Sequence, residues 1–90
     1  MKQQTKVAQF EGRNGAVKNQ FEITTPEGVY FQSYNSVIAF EPNEGKIQLD
    51  KTYWDYSKTT GKYRNQFLGE TKAETQKKID SGEYILTDLN

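Results

Sequence analysis

Cysteine and histidine are both absent from this 90-residue chain, and the two absences exclude more than any residue present implies. Without cysteine there is no disulfide and no thiol chemistry, which fits a reducing cytoplasm without requiring one. Without histidine the commonest general base near neutral pH is gone. Together the absences remove the usual zinc ligands and the Ser–His and Cys–His nucleophile pairs. Excess charge of one sign is missing too, since Lys plus Arg and Asp plus Glu number 12 each. Neither a strongly basic nucleic-acid binder nor a strongly acidic DNA mimic is therefore indicated, and a charge-driven partner must meet a local patch. No apolar run approaches the ~20 residues that span a bilayer, and Met1-Lys2-Gln3-Gln4-Thr5-Lys6 is not followed by a signal-type hydrophobic region. The expectation is a soluble cytoplasmic protein with no catalytic residues, no metal, no cofactor and no membrane partner.

What the chain has instead is aromatic surface. Only 33% of its residues are apolar, yet 13% are aromatic, and each ring buries on the order of 150–250 Å² when it enters a core. A chain this short makes one domain, residues 1–90, which buries roughly two-thirds of the surface its unfolded form exposes and leaves little room for a deep cleft. No linker, repeat or low-complexity segment interrupts it.

The first half reads as strands divided by turn chemistry. Lys6 to Phe10 is an opening strand, ended by Gly12-Arg13-Asn14-Gly15. From Val17 to Thr25, Phe21 and Ile23 alternate with Gln20, Glu22 and Thr24, the period of a half-buried strand. Pro26-Glu27-Gly28 turns the chain. Val29 to Phe40 is β-rich but interrupted at Gln32-Ser33-Tyr34-Asn35-Ser36, which predicts a bulge or a change of face and two short strands or one bent one. After Pro42-Asn43-Glu44-Gly45, Ile47 and Leu49 alternate with Lys46 and Gln48 as in a returning strand. The second half is helical: Thr59 or Thr60 can cap a helix to residue 68, Tyr63 and Phe67 give it an apolar stripe, and Gly69 ends it. Thr71 and Glu74 have capping-box spacing for a second helix over 72–81, anchored by Ile79, and Gly82 stops it. Residues 84–89 read as a last strand or tail docked by Ile85, Leu86 and Leu89. The fold class is α+β, a small antiparallel sheet of four to five strands (6–49, with 84–89 as a candidate addition) against one or two short helices, 59–68 and 72–81.

Candidate binding residues concentrate where the pattern changes. From Lys46 to Arg64 five cations, Lys46, Lys51, Lys58, Lys62 and Arg64, meet two acids, Asp50 and Asp55. Interleaved with Tyr53, Trp54, Tyr56 and Tyr63, they are what a single-stranded nucleic acid needs, with rings for bases and charges for phosphates. The same residues suit a protein hot spot, and the plainer account is a core of Trp54, Tyr63 and Phe67 under solvated cations. Ser57, Thr59 and Thr60 can be read as an anion site at a helix N-terminus with Lys62 and Arg64 as partners, though capping explains them without a ligand. Tyr30, Phe31, Tyr34 and Phe40 form a second concentration. Neighbours in a strand face opposite ways, so Tyr30 and Phe31 cannot both enter one core, and the ring left outside is a contact candidate unless a helix covers it. The carboxylates read as solvated surface.

Two segments, Tyr30-Phe31-Gln32-Ser33-Tyr34-Asn35-Ser36-Val37-Ile38-Ala39-Phe40 and Tyr56-Ser57-Lys58-Thr59-Thr60-Gly61-Lys62-Tyr63-Arg64-Asn65-Gln66-Phe67-Leu68, carry a resemblance that covers roughly residues 28–90. The chain resembles a small uncharacterised family found in phages, plasmids and conjugative elements of low-GC Gram-positive bacteria and in some other phages. The family's pattern is an aromatic-Ser-Tyr strand followed by Tyr-Ser-x-Thr-Thr and a later Phe-Leu. Ser33, Tyr34, Tyr56, Ser57, Thr59, Thr60, Phe67 and Leu68 fill it here. The resemblance implies a mobile element in a bacterial cytoplasm and carries over no agreed biochemical role. In that setting the leading expectation is an accessory protein that binds a host or defence protein stoichiometrically, as an anti-CRISPR-like inhibitor does. Its competitor is a single-stranded DNA or RNA binder. An exposed edge strand also offers a route to a homodimer.

Overall fold

The computed structural model describes residues 5–90; Met1 to Gln4, part of the opening segment used in the signal-peptide argument, lie outside the described residues. Four strands, β1 (Lys6–Gly12), β2 (Gly15–Thr25), β3 (Gly28–Ser33) and β4 (Ser36–Pro42), form an antiparallel meander, and the short β5 (Gln48–Asp50) extends it. The chain then passes through α1 (Lys58–Leu68) and α2 (Lys72–Asp80) before β6 (Ile85–Thr87) closes the sheet in the order β1-β2-β3-β4-β5-β6. The two-helix crossover lets β6 run parallel to β5 in an otherwise antiparallel sheet. The fold is α+β as expected, with a sheet of six strands instead of four or five.

Local chemistry sets the turns. Around Pro26-Glu27, Thr25 pairs with Gly28, whose φ of +153° and tight packing both demand glycine: a Cβ there would run into the Glu41 carbonyl and Pro42. The polar interruption at 32–36 is a hairpin that separates β3 from β4, with Ser33 opposite Ser36. Its first loop residue, Tyr34, has φ 55°, and the Tyr34 N–H donates to Asn19 O at 2.7 Å, where β2 itself turns to φ 66°. A bulge in β4 sets Ile38 and Ala39 side by side, and both are buried. Helix ends follow the same logic. Ser57, not Thr59 or Thr60, caps α1 by accepting the Thr60 N–H, which puts the cap two or three positions earlier than expected and starts the helix at Lys58. Gly69 ends it at φ 70°, and Thr71 and Glu74 complete a reciprocal capping box on α2.

The two faces of the sheet differ sharply. On the helix side a cross-strand row runs Ala8, Glu22, Phe31, Ala39, Leu49, Leu86. Phe10, Phe31, Ile38, Ala39, Leu49 and Tyr84 are buried there, with Tyr63, Phe67 and Leu68 of α1 and Ile79 of α2 packed against them. Phe31 stands 5.1 Å from Phe10 and 5.7 Å from Phe67, ring centre to ring centre, which makes these rings the centre of the core. On the other face the row is Val7, Ile23, Tyr30, Phe40, Gln48, Ile85, and Tyr30 stacks on Phe40 at 4.2 Å.

β2 keeps the alternation of a half-buried strand, with Phe21 and Ile23 half-buried and Glu22 and Thr24 exposed, but Phe21 and Ile23 lie on the face away from the helices, and on the helix side Gln20 is buried at 0% exposure. A second correction concerns the C-terminal strand, which is docked by Tyr84; Ile85 and Leu86 are exposed, because β6 is an edge strand that the helices do not cover. Leu89 is held by its backbone, its N–H donating to Asp50 Oδ1 at 2.8 Å.

Neither amide atom of the buried Gln20 side chain has a hydrogen-bond partner. An unpaired buried amide costs about 1–3 kcal/mol, while an apolar side chain of similar volume carries no such penalty. Gln20→Met is therefore expected to raise stability by about 1 kcal/mol in urea unfolding; a variant less stable than the wild type would show that the amide has a role.

Candidate functional site

The loop between β5 and α1 is built on one carboxylate. Asp50, 1% exposed, accepts the N–H groups of Thr52 and Tyr53 at 3.0 and 2.9 Å on Oδ2 and that of Leu89 on Oδ1. Burial pushes its pKa up, but the backbone donors outweigh burial and hold the carboxyl below its ordinary value. The loop that Asp50 fixes delivers Trp54, Asp55 and the capping residue Ser57 to the first turn of α1.

Arg64 reaches back from the second turn of α1 and is buried to 1% exposure. Its guanidinium lies over the Trp54 ring at 5.2 Å, and Nη1 donates to Trp54 O at 2.6 Å and to Asp55 Oδ1 at 3.3 Å. Nη2 donates to Asn65 Oδ1 at 3.0 Å, which leaves Nε without a partner. The expectation that Arg64 is a free surface cation is thus corrected. A planar fork can bridge a carbonyl, a carboxylate and an indole face at once, and that capacity holds the loop onto the helix. Trp54 is half-buried beneath it.

Above this base lies an open groove of about 590 Å³, lined by Ser57, Lys58, Gly61, Lys62, Arg64 and Asn65 of the α1 region together with Asp55 and Lys72. Lys58 and Lys62 are one helical turn apart, so both reach the same side. The capping box sets Lys72 at the first position of α2, where its Nζ meets Asp55 Oδ2 at 2.6 Å. Gly61 forms the floor: a Cβ there would stand 3.6 Å from Arg64 Nη2. Four cations and one carboxylate thus line the groove, with Arg64 and Lys72 paired to Asp55. Beside the groove Tyr56 is 70% exposed and meets Tyr53 edge-on at 5.4 Å.

The structure brings Lys58, Lys62, Ser57 and Arg64 to one rim and sends the other candidates elsewhere. Thr60 is buried with its hydroxyl 3.0 Å from Ser33 Oγ, Thr59 is exposed outside the groove lining, and Tyr63, Phe67 and Leu68 pack on the core. The hydroxyls therefore do not converge on one anion as a Ser57–Thr59–Thr60 cluster would. Tyr30 is on the helix-free face, and Tyr34 is exposed at the β3–β4 hairpin. Lys72 was not singled out by sequence, although the capping box that fixes it was legible.

The carboxylates also depart from a uniformly solvated surface. Besides Asp50, Glu70 is largely enclosed: Oε1 accepts from Lys78 Nζ at 2.8 Å and Tyr84 Oη at 2.7 Å, and Oε2 accepts from Thr75 Oγ1 at 2.6 Å. Burial raises the Glu70 pKa, yet these donors bring it below its ordinary value, while burial and the Glu70 hydrogen bond push the Tyr84 hydroxyl up to about 12. This cluster ties α2 to the approach of β6. Among the described residues no three His, Cys, Asp or Glu side chains come together as metal ligands, and no helix is long and apolar enough to cross a membrane.

The described residues thus form an α+β meander with a cation-lined groove at α1. The chain belongs to DUF8033, a family of unknown function whose model matches residues 4–83. No curated protein and no solved structure matches it.

Proposed function

We infer that the protein is a non-catalytic accessory protein of a mobile genetic element that works by stoichiometric binding, and that the groove at α1 holds the backbone of a single-stranded DNA or RNA. The observation that carries this reading is the placement of the exposed Lys58, Lys62 and Lys72 along one groove beside the exposed Tyr56 ring. Lysines suit phosphate oxygens, whereas protein interfaces are depleted in them. Tyr56 supplies a face on which a base can stack. The sequence ranks an inhibitor of a host or defence protein first because its balanced charge attracts phosphate only weakly and because exposed Tyr, Trp and Arg are the residue types that concentrate interface energy. With Arg64 buried and Trp54 engaged beneath it, that argument weakens and the nucleic-acid reading moves ahead. The mobile-element setting rests on the resemblance of residues 28–90.

Titration of a labelled oligo-dT or oligo-U strand tests it. Micromolar binding is expected, and neutralising about three phosphates should weaken it roughly 20-fold between ~50 and ~200 mM salt. Lys62→Glu should abolish binding with the melting temperature unchanged. No binding at the lower salt overturns the reading. Recovery of one stoichiometric protein from a nuclease-treated host lysate, lost in Lys62→Glu, would restore the inhibitor in its place.

A further inference from the structure

The helix-free face of the sheet carries one unbroken row from edge to edge, Val7, Ile23, Tyr30, Phe40, Gln48 and Ile85, each paired in register with the next. Gln9, Phe21 and Gln32 lie beside it on one flank, and Thr25, Gly28 and Pro42 on the other. None of these twelve residues is charged, in a chain where 27% are; Asp50, which shares the face two residues beyond Gln48, is 1% exposed and taken up by backbone N–H groups. Random placement at that frequency would put about three charges among twelve positions, and a sheet face meant for water normally shows them. Neither helix covers the face: both pack on the row that holds Phe31, Ala39 and Leu49.

We propose that this face is the interface of a homodimer, in which two copies stack sheet on sheet with the grooves turned outward. Three features select a second copy over another protein. Asp50 being buried, these face residues present no exposed charge to encode a different partner's pattern, and with a net charge of zero two copies do not repel at long range. Two sheets of identical twist pack aligned at about 30°, so the surface is complementary to itself. The area also suffices. Six strands ~4.8 Å apart over about five residues span roughly 24 by 17 Å, or about 600 Å² of accessible surface once side-chain relief is counted. Two copies then bury about 1,200 Å², the lower bound for a stable specific interface. The Tyr30–Phe40 stack, near the middle of the row, would lie at the centre, where aromatic anchors contribute most.

Sedimentation equilibrium on the whole chain tests the proposal independently of any nucleic acid. The wild type is expected to reach twice the monomer mass by ~200 μM. Ile23→Lys, within the row, should be monomeric throughout with an unchanged circular dichroism spectrum. Val7 is 63% exposed, so Val7→Lys should fold even if the Ile23 variant does not, and should weaken association at least tenfold. Lys62→Glu on the opposite side should leave the mass unchanged. A wild type that stays monomeric at ~200 μM overturns the proposal, as does a folded Val7→Lys that dimerises as tightly as the wild type.

Discussion

Arg64→Ala is expected to lower stability by about 2–4 kcal/mol, a large share of what a domain this size can have. The side chain is buried and holds three groups from different places: the Trp54 carbonyl, the Asp55 carboxylate and the Asn65 amide. Truncation leaves the first and last without their donor and opens a cavity beneath the indole. Asp55 suffers less, since Lys72 still pairs with it at 2.6 Å. Arg64→Lys should recover only part of the loss, because one ammonium cannot reach all three acceptors or lie flat over the ring. Trp54 is the only tryptophan, which gives the experiment a local probe. In the alanine variant its emission should shift to the red as the indole gains water. Chemical unfolding within about 0.5 kcal/mol of the wild type, with unshifted emission, would show that the guanidinium does not hold the loop.

How far the sequence foretold this arrangement depends on the distance over which each interaction acts. Turns and caps were legible because their chemistry spans three or four residues: Pro26 to Gly28, Gly69 after α1, and Thr71 with Glu74 before α2. The one cap misplaced, at Ser57, was off by two or three positions among adjacent hydroxyl residues that share the same propensity. Period-two alternation correctly divided β2 into two sets of residues, but it cannot say which set the helices will cover. There Phe21 and Ile23 are half-buried on the face without helices, and Gln20 is buried on the face with them. The contact role suggested for Tyr30 or Phe31 resolves at the same level, since their opposite orientations were readable and the helix positions were not.

The site was half legible for a related reason. The density of cations and rings between Tyr53 and Arg64 marked the segment that supplies most of the groove lining, and Lys58 and Lys62 share a side by helical spacing alone. Arg64 could not be told from them. Its burial depends on an acceptor 10 residues back in the chain and on an indole set in place by the Asp50 loop. Lys72 enters only because α2 follows α1 closely enough for Asp55 to meet both. Asp50 itself joins groups 39 residues apart through Leu89, a link that no local pattern encodes.

That link makes Asp50 the second sensitive position. Asp50→Ala is expected to cost about 3 kcal/mol, because three backbone N–H groups lose a charged acceptor and both the α1 approach and the C-terminal segment lose their common anchor. Asp50→Asn should cost about 2 kcal/mol near neutral pH, since an amide offers one acceptor oxygen where the carboxylate uses two and points an NH₂ group at remaining donors. Acid then distinguishes the charge from the shape. The folded pKa of Asp50 lies below its unfolded value. Its ionisation therefore contributes stability that is fully present above about pH 4 and is lost as pH falls through the lower folded value. Asp55 and Glu70 are lowered as well, so the wild type should weaken progressively below about pH 4. The Asp50→Asn variant lacks one of these titrations and should lose less over the same range. Urea unfolding midpoints measured from about pH 7 to about pH 2.5 should show the two proteins converging as Asp50 becomes protonated. A gap that stays constant with pH would mean that the side chain acts by its shape, with its charge making no difference.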